Sequence, residues 1–409
     1  MGRLGSILVC CMLFFSCNDK STSSLSEGVW RAELEVMDGE LLPFNFKVTK
    51  TADTKYHMEI YNAEEVINVD EIKVHKDSIF IKMPVFEGYI SGKFTATQIT
   101  GSFVKESLDR IVPFRAVFGK EDRFSMVHTN KVSPNVSGIW ETSFSSGTED
   151  HYMGKGIFEQ KGNKVTGTFR TTTGDYRFLD GVVDGDILKV SAFDGAHAFL
   201  FKAQITDSTL NGTFYSGNHF KEPFVGAKNA SFELPDEDSL TFLKEGYDAF
   251  DFSFPDTDGN QVSLSDERFK DKVVIVQIMG TWCPNCLDET KFLVEYLKKN
   301  KNKDLAVIAL AFESAKTKEK AFEGIERLKK RIGVDYPIVL AQYGSTDKDL
   351  AQEKLPMLNH VLSYPTSIFI DKKGMVQKIH TGFNGPATGD KYVAFKKEFD
   401  TFVANLLNE

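Results

Sequence analysis

Along residues 28–228, apolar and polar positions alternate in short runs broken by Gly, Asp, Asn and Ser. Phe44–Val48, Tyr56–Ile60, Ser78–Lys82 and Lys164–Phe169 carry the pattern, which predicts antiparallel strands with one buried face. From Ala249 the period changes. Continuous apolar runs at Val273–Met279, Leu305–Phe312, Pro337–Ala341 and Thr366–Ile370 predict strands covered on both faces. Between them, Leu287–Lys299 and Thr317–Ile332 predict helices. The second sets Ala321, Phe322, Ile325, Leu328 and Ile332 on one face. Asp390–Leu407 predicts a closing helix, and Asp371–Gly374 a turn leading into Val376–His380.

The strand-rich stretch repeats itself. Gly28-Val29-Trp30 recurs as Gly138-Ile139-Trp140, and Pro113-Phe114 as Pro223-Phe224, both at an offset of 110. Ile99–Phe103 matches Leu210–Phe214 one residue out of register. Each copy has room for roughly seven or eight strands, so two small antiparallel barrels or sandwiches are expected; one joint barrel or sandwich is the alternative. The Gly-x-Trp openings and Gly-x-Phe turns loosely resemble the calycin or lipocalin type. A multidomain chain follows: β unit 1 over 28–119, a linker 120–136, β unit 2 over 137–228, a linker 229–247 and an α/β domain over 248–409. The second β unit alone has two His-bearing loops, Phe193–His197 and Ser216–His219. A ligand or partner site there and ordinary turn chemistry both stay open.

Length and charge change the picture little. A chain of 409 residues exceeds one ordinary domain, and a net charge of -9 argues against nucleic acid as a partner. The start of the chain matters more. Residues 1–16 read as an export signal, with Arg3 at the positive end and Ile7–Phe15 as apolar core. Ser16-Cys17 at the end of that core resembles the lipobox of bacterial lipoproteins, which implies cleavage before Cys17 and lipid on its sulfur. A plain cleaved signal and an uncleaved anchor are the alternatives. Residues 17–27 then serve as a polar tether at the membrane.

On that reading, Cys10 and Cys11 leave with the signal and the exported chain keeps only Cys283 and Cys286 as thiols. One C-x-x-C pair is no structural disulfide framework, so the pair is there for chemistry. No metal is expected, since no second Cys pair remains and His360 and His380 are too far apart in sequence. Trp282-Cys283-Pro284-Asn285-Cys286 follows a buried-type strand and opens a helix. Cys283 then sits where unpaired backbone N–H groups and the positive helix end favour the thiolate, the attacking form. Cys286, one turn on, is placed to attack a mixed disulfide and release the substrate. Pro284 suits the first helical position. Glu289 lies a further turn along, placed to take the proton of the resolving thiol or merely to favour the helix start.

Residues 248–409 resemble the thioredoxin-like TlpA/ResA family of disulfide reductases, which is related to the peroxiredoxins. Four segments carry the likeness: Phe252–Asp256 with Gly259 and Val262–Leu264, Gly280–Cys286, Glu289 in the C-x-x-C-x-x-E position, and Pro365–Asp371. The resemblance implies a thioredoxin-like fold with Cys283 attacking, Cys286 resolving and Glu289 handling a proton, and a cis Pro365. It also implies substrate contact along Trp282, Pro284, Tyr364 and Pro365. Where thioredoxin has a buried Asp, this chain has Gln277, which leaves Glu289 as the proton acceptor. Lys291 stands where the family often has a proline, and Asn285 puts no His beside the attacking sulfur, which argues for a reductant. No cofactor is implied beyond the redox-active Cys283–Cys286 disulfide. The expected protein is a lipid-anchored thiol:disulfide oxidoreductase of the periplasmic cell envelope. It reduces disulfide-bearing exported proteins and is itself re-reduced by a membrane thiol donor. The alternatives are a peroxiredoxin-type peroxidase and a β-region binding lipoprotein with an accessory redox domain.

Overall fold

The computed structural model describes residues 24–52, 55–127 and 133–409. The expected signal, the Cys17 lipidation site and most of the tether lie outside the described residues. Among the described residues no helix is long and apolar enough to cross a membrane.

Unit 1 is a meander of nine strands: β1 (Gly28–Glu35), β2 (Leu41–Ala52), β3 (Lys55–Asn62), β4 (Glu65–Val69), β5 (Glu71–His75), β6 (Ser78–Lys82), β7 (Tyr89–Phe94), β8 (Gln98–Lys105) and β9 (Arg110–Phe118). They order as β4-β3-β2-β1-β9-β8-β7-β6-β5, so first and last strands pair and the sheet stays open between β4 and β5. Unit 2 repeats the plan with β10 (Gly138–Phe144), β11 (Tyr152–Lys161), β12 (Lys164–Thr171), β13 (Gly174–Asp175), β14 (Leu179–Asp184), β15 (Ile187–Phe193), β16 (Ala198–Ile205), β17 (Thr209–Ser216) and β18 (Phe220–Lys228). Here the ring closes. The β10–β18 and β11–β12 pairings join the ends, and β13 hangs on β12 as an appendage. The cause is local: the five-residue β4 occupies the free edge of β3, whereas the two-residue β13 leaves the edge of β12 to β14.

Nine strands per unit exceed the seven or eight expected, because β4, β5 and β13 are short. The duplication is plain in detail. The Trp30 and Trp140 indoles each donate to the carbonyl four residues earlier, Ser26 at 3.0 Å and Val136 at 2.8 Å. The one-residue slip between the copies is taken up in the last hairpin, 106–109 in unit 1 and 217–219 in unit 2. The closed barrel is filled rather than hollow: Phe201 stacks on Phe214 at 4.5 Å and lies 4.7 Å from Phe169. Phe193 of unit 2 instead inserts into unit 1, stacked on Phe44 at 4.3 Å and edge-on to Phe103 at 5.1 Å.

The remaining chain is α/β. A small hairpin, β19 (Ser253–Pro255) and β20 (Gln261–Ser263), precedes a five-stranded sheet made of β21 (Val273–Met279), β22 (Leu305–Phe312), β23 (Ile338–Gln342), β24 (Thr366–Ile370) and β25 (Val376–Thr381). The order is β23-β22-β21-β24-β25, with the first three parallel and the last two antiparallel. Helices α1 (Pro284–Asn300), α2 (Lys318–Ile332), α3 (Lys348–Lys354) and α4 (Asp390–Asn408) complete it. Central β21 is buried along its whole length, which is why its run is unbroken by polar alternation except at Gln277. α1 runs through Lys291 as one helix. The expected linker 229–247 is packed rather than free, since Glu237 pairs with Arg170 at 2.9 Å and with Lys391 at 3.1 Å.

Candidate functional site

Cys283 is the N-cap of α1. Its backbone is still extended, its Sγ accepts the Cys286 amide hydrogen at 3.1 Å, and Pro284 follows in the first turn. The sequence folds this way because β21 delivers the chain to a residue that satisfies one orphan N–H, and proline wastes none. Cys283 and Cys286 form a disulfide, with Cα atoms 5.3 Å apart. Opposite them the Tyr364–Pro365 bond is cis, and the Tyr364 carbonyl oxygen lies 3.4 Å from the Cys283 sulfur. The Trp282 indole donates to the Phe312 carbonyl at 2.9 Å, and its ring meets Tyr364 edge-on at 5.6 Å.

Glu289 lies fully inside. One carboxylate oxygen takes a hydrogen bond from Gln277 Nε2 at 2.8 Å, the other from Ser367 Oγ at 2.9 Å. Burial pushes its carboxyl up to about 7, against the lowering effect of those two bonds. Gln277, the polar break in β21, also reaches the Cys286 carbonyl at 3.3 Å, tying the acid to the helix turn that holds the resolving sulfur. A second acid was not read from the sequence. Glu313 follows β22 and accepts from the Thr281 N–H at 2.8 Å and the Thr281 hydroxyl at 2.6 Å. Burial raises it to about 7 as well. A carboxylate ending a fully apolar strand is the signal that marks it.

The site is covered. Cys283 is 6 % exposed and Cys286 0 %. The cover is the turn after β12 in unit 2. The Ser363 hydroxyl donates to the Thr173 carbonyl at 2.9 Å, Asn285 Nδ2 to the Asp175 carbonyl at 3.2 Å, and the Gly385 N–H to the Asp175 carboxylate at 2.7 Å. Gly174 (φ +136°) is needed here, because a Cβ would stand 2.2 Å from the Asn285 side chain and 3.1 Å from the Phe383 carbonyl. Beside the turn, buried Arg177 pairs with Asp288 of α1, with Glu65 of unit 1 at 2.9 Å and with Asp194 at 3.3 Å. Three modules therefore meet on one guanidinium, whose planar fork suits several carboxylates at once. Of the expected substrate-contact residues, Pro284, Tyr364 and Pro365 are buried and Trp282 is half-buried. His197 and His219 do come together, in one cleft that Trp282 also lines.

The Redoxin family matches residues 244–394. The thioredoxin-like protein YneN of Bacillus subtilis is 33% identical over 140 residues, covering 34% of this chain and 73% of YneN. The thiol-disulfide oxidoreductase ResA of the same organism is 30% identical over 142 residues, covering 34% of this chain and 69% of ResA. Among solved structures, a thiol-disulfide oxidoreductase from Bacteroides fragilis is 21% identical, covering 36% of this chain and 99% of its own, with a TM-score of 0.28.

Proposed function

Because this chain belongs to the thioredoxin-like thiol-disulfide oxidoreductase family of ResA and YneN, we propose that its Cys283–Cys286 pair reduces disulfides of exported proteins. One observation carries the reading: the Cys283 sulfur caps α1, takes the Cys286 N–H at 3.1 Å and is bonded to the sulfur one turn along. In the dithiol form that position favours the thiolate. The thiolate attacks a substrate cystine, the S–S bond breaks, and one substrate sulfur leaves and takes a proton from solvent. Cys286 then gives its proton to Glu289 and attacks the Cys283 sulfur, breaking the mixed disulfide. The second substrate sulfur leaves and is protonated in turn. Two electrons and two protons reach the substrate, and the chain is left as the disulfide. A membrane thiol donor restores the dithiol. A carboxyl near 7 suits the proton transfer, being able both to accept and to return it near neutral pH.

The buried sulfur adds a condition. A polypeptide reaches Cys283 once the Thr172–Gly174 turn has moved off Ser363 and the Tyr364–Pro365 bond. Export and lipid anchoring at Cys17 are supported by the sequence of residues 1–17, and by an exported chain whose two remaining thiols are the reactive pair. The cover also favours a second reading, in which the redox state of the pair sets how unit 2 is held and the β region does the binding. A Cys286→Ala chain separates the two. It is expected to strand substrates on Cys283 as mixed disulfides, recoverable with reductant. No captured protein, under conditions where the parent chain is active, would leave the second reading standing.

A further inference from the structure

Beside the redox centre lies a cleft of about 660 Å³, walled by both β units and by Trp282. Unit 1 brings Lys105 from the end of β8 and Arg110 from the start of β9. Unit 2 brings His197 and His219, and the covering turn contributes Thr172 and Thr173. Lys105 is 9 % exposed, and its ammonium donates to the Ala196 carbonyl at 3.1 Å. Among the described residues, no carboxylate pairs with Lys105 or Arg110. His197 Nδ1 is buried without a hydrogen bond, 3.4 Å from Asp194, and its ring stacks on Phe199 at 4.4 Å. Three acids lie near: Glu87, which acts on Lys105 from a distance and accepts from the Ser107 N–H and hydroxyl, Glu222 in the cleft wall, and Asp194. Glu222 accepts from the Ser145 hydroxyl at 2.6 Å and the Tyr152 hydroxyl at 2.5 Å, and Asp194 faces Arg177.

Two cations held together in a recess with no carboxylate in ion-pair contact are costly. The cost shows in the acidities of Lys105 and of His219 beside them, even with Glu87 and Asp194 acting on Lys105 from further off. Burial, with Arg110 next, pulls the Lys105 ammonium down. Burial, then Arg110, Lys105 and His197, push His219 down to about 4. An anion entering the recess relieves both. The recess has the size of a small-ligand site, with aromatic walls for an apolar flank and a few converging polar groups. It also adjoins Trp282, the residue before the attacking sulfur, and the turn that covers that sulfur. We propose that this cleft recognises the substrate and takes an acidic segment of polypeptide flanking its cystine, the carboxylates set against Lys105 and Arg110 and the apolar flank against the aromatic wall.

The proposal rests on the reductase reading above, and its test keeps the two apart. Three peptides, each closed by one internal disulfide, differ at their flanking positions alone, which carry Asp and Glu, Asn and Gln, or Lys. Their reduction by the full reduced chain is followed alongside that of an uncharged small disulfide. The acidic peptide is expected to have a kcat/KM about tenfold above the amide peptide, with the lysine peptide lowest and the spread shrinking with salt. The Lys105→Gln, Arg110→Gln chain brings the acidic and amide peptides to one rate, while Arg110→Lys keeps the preference. Equal rates for the three peptides, or a preference that survives the double substitution, overturns the cleft assignment and leaves the reductase reading intact. Should neither the peptides nor the small disulfide be reduced, the reductase reading fails. Calorimetry with a disulfide-free acidic peptide then decides the cleft: binding lost in the double variant upholds it, and no binding overturns it.

Discussion

The turn after β3 and the turn after β12 occupy the same place in a repeated unit, 109 residues apart by strand register (Asn62 faces Glu65 as Thr171 faces Gly174), yet they dock on different objects. In unit 1, the Asn62 side chain pairs with the backbone of Phe193 at 2.9 and 3.1 Å, and Glu65 reaches Arg177. Unit 1 is thereby fastened to unit 2. In unit 2, the equivalent stretch covers Cys283 and the cis proline. Asp175, next to the counterpart of Glu65 (Gly174), accepts from Gly385. Unit 2 is thereby fastened to the redox domain. One hairpin, used twice, builds a relay in which each module's tip fits the next, and only the second tip lies over chemistry.

Arg177 gives the largest way to break this comparison. Its replacement by Ala leaves Asp288, Glu65 and Asp194 facing one another with only the half-exposed Lys291, 3.4 Å from Asp288, as a cation. A loss of about 3–5 kcal/mol of stability is expected in denaturant titrations. Its counterpart in the register of unit 1, the exposed Asn68, should cost no more than about 1 kcal/mol as Ala. Equal losses would mean the guanidinium is not where the modules are joined.

Acidity sharpens the contrast next. Glu289 in the module beneath the second turn is held near 7, above its unfolded value, so its contribution to stability is complete below about pH 4.5 and is lost as pH rises through 7. Glu289→Gln should remove about 3 kcal/mol of that fall between the two pH values. It should also slow release of a mixed disulfide more than the first attack. A variant with the parent's pH profile, or with both steps slowed alike, contradicts the assignment.

Gly174→Ala probes the cover itself. The added methyl group meets Asn285, so a loss of about 1–3 kcal/mol is expected. Reduction of the Cys283–Cys286 disulfide by excess dithiol should run about tenfold faster as the turn lifts. Glu64→Ala, an exposed change in the corresponding turn of unit 1, should alter neither. The smallest effect tests the repeat rather than the difference. Trp30→Phe and Trp140→Phe each remove one indole-to-carbonyl bond and should cost about 1 kcal/mol apiece, equally in the two units.

Much of this was legible from residue order. The change from period two to buried runs marked the β-to-α/β transition, and the paired Gly-x-Trp openings gave the duplication. The predicted α2 is observed with Thr317 as its N-cap and Gly333 closing it. What escaped had no periodic signal. α3 buries Ala351 alone, and β13 is two residues long. Glu313 sits just past a strand whose run ended in the reading at Phe312. Thr172-Thr173-Gly174 reads as any surface turn, because nothing in its composition refers to a sulfur 110 residues further on.

The sequence by itself determined the local chemistry: a sulfur at a helix start, a partner one turn along and an acid a turn beyond, all set by helix geometry over seven residues. It also determined that one β plan is used twice. Tertiary structure alone decided that unit 2 lies over the sulfur, that Phe193 of unit 2 enters unit 1, and that Lys105 and Arg110 face His219 across a recess. Contacts of that kind depend on how whole modules pack. Packing is fixed by the summed fit of distant surfaces, which no single stretch of chain encodes.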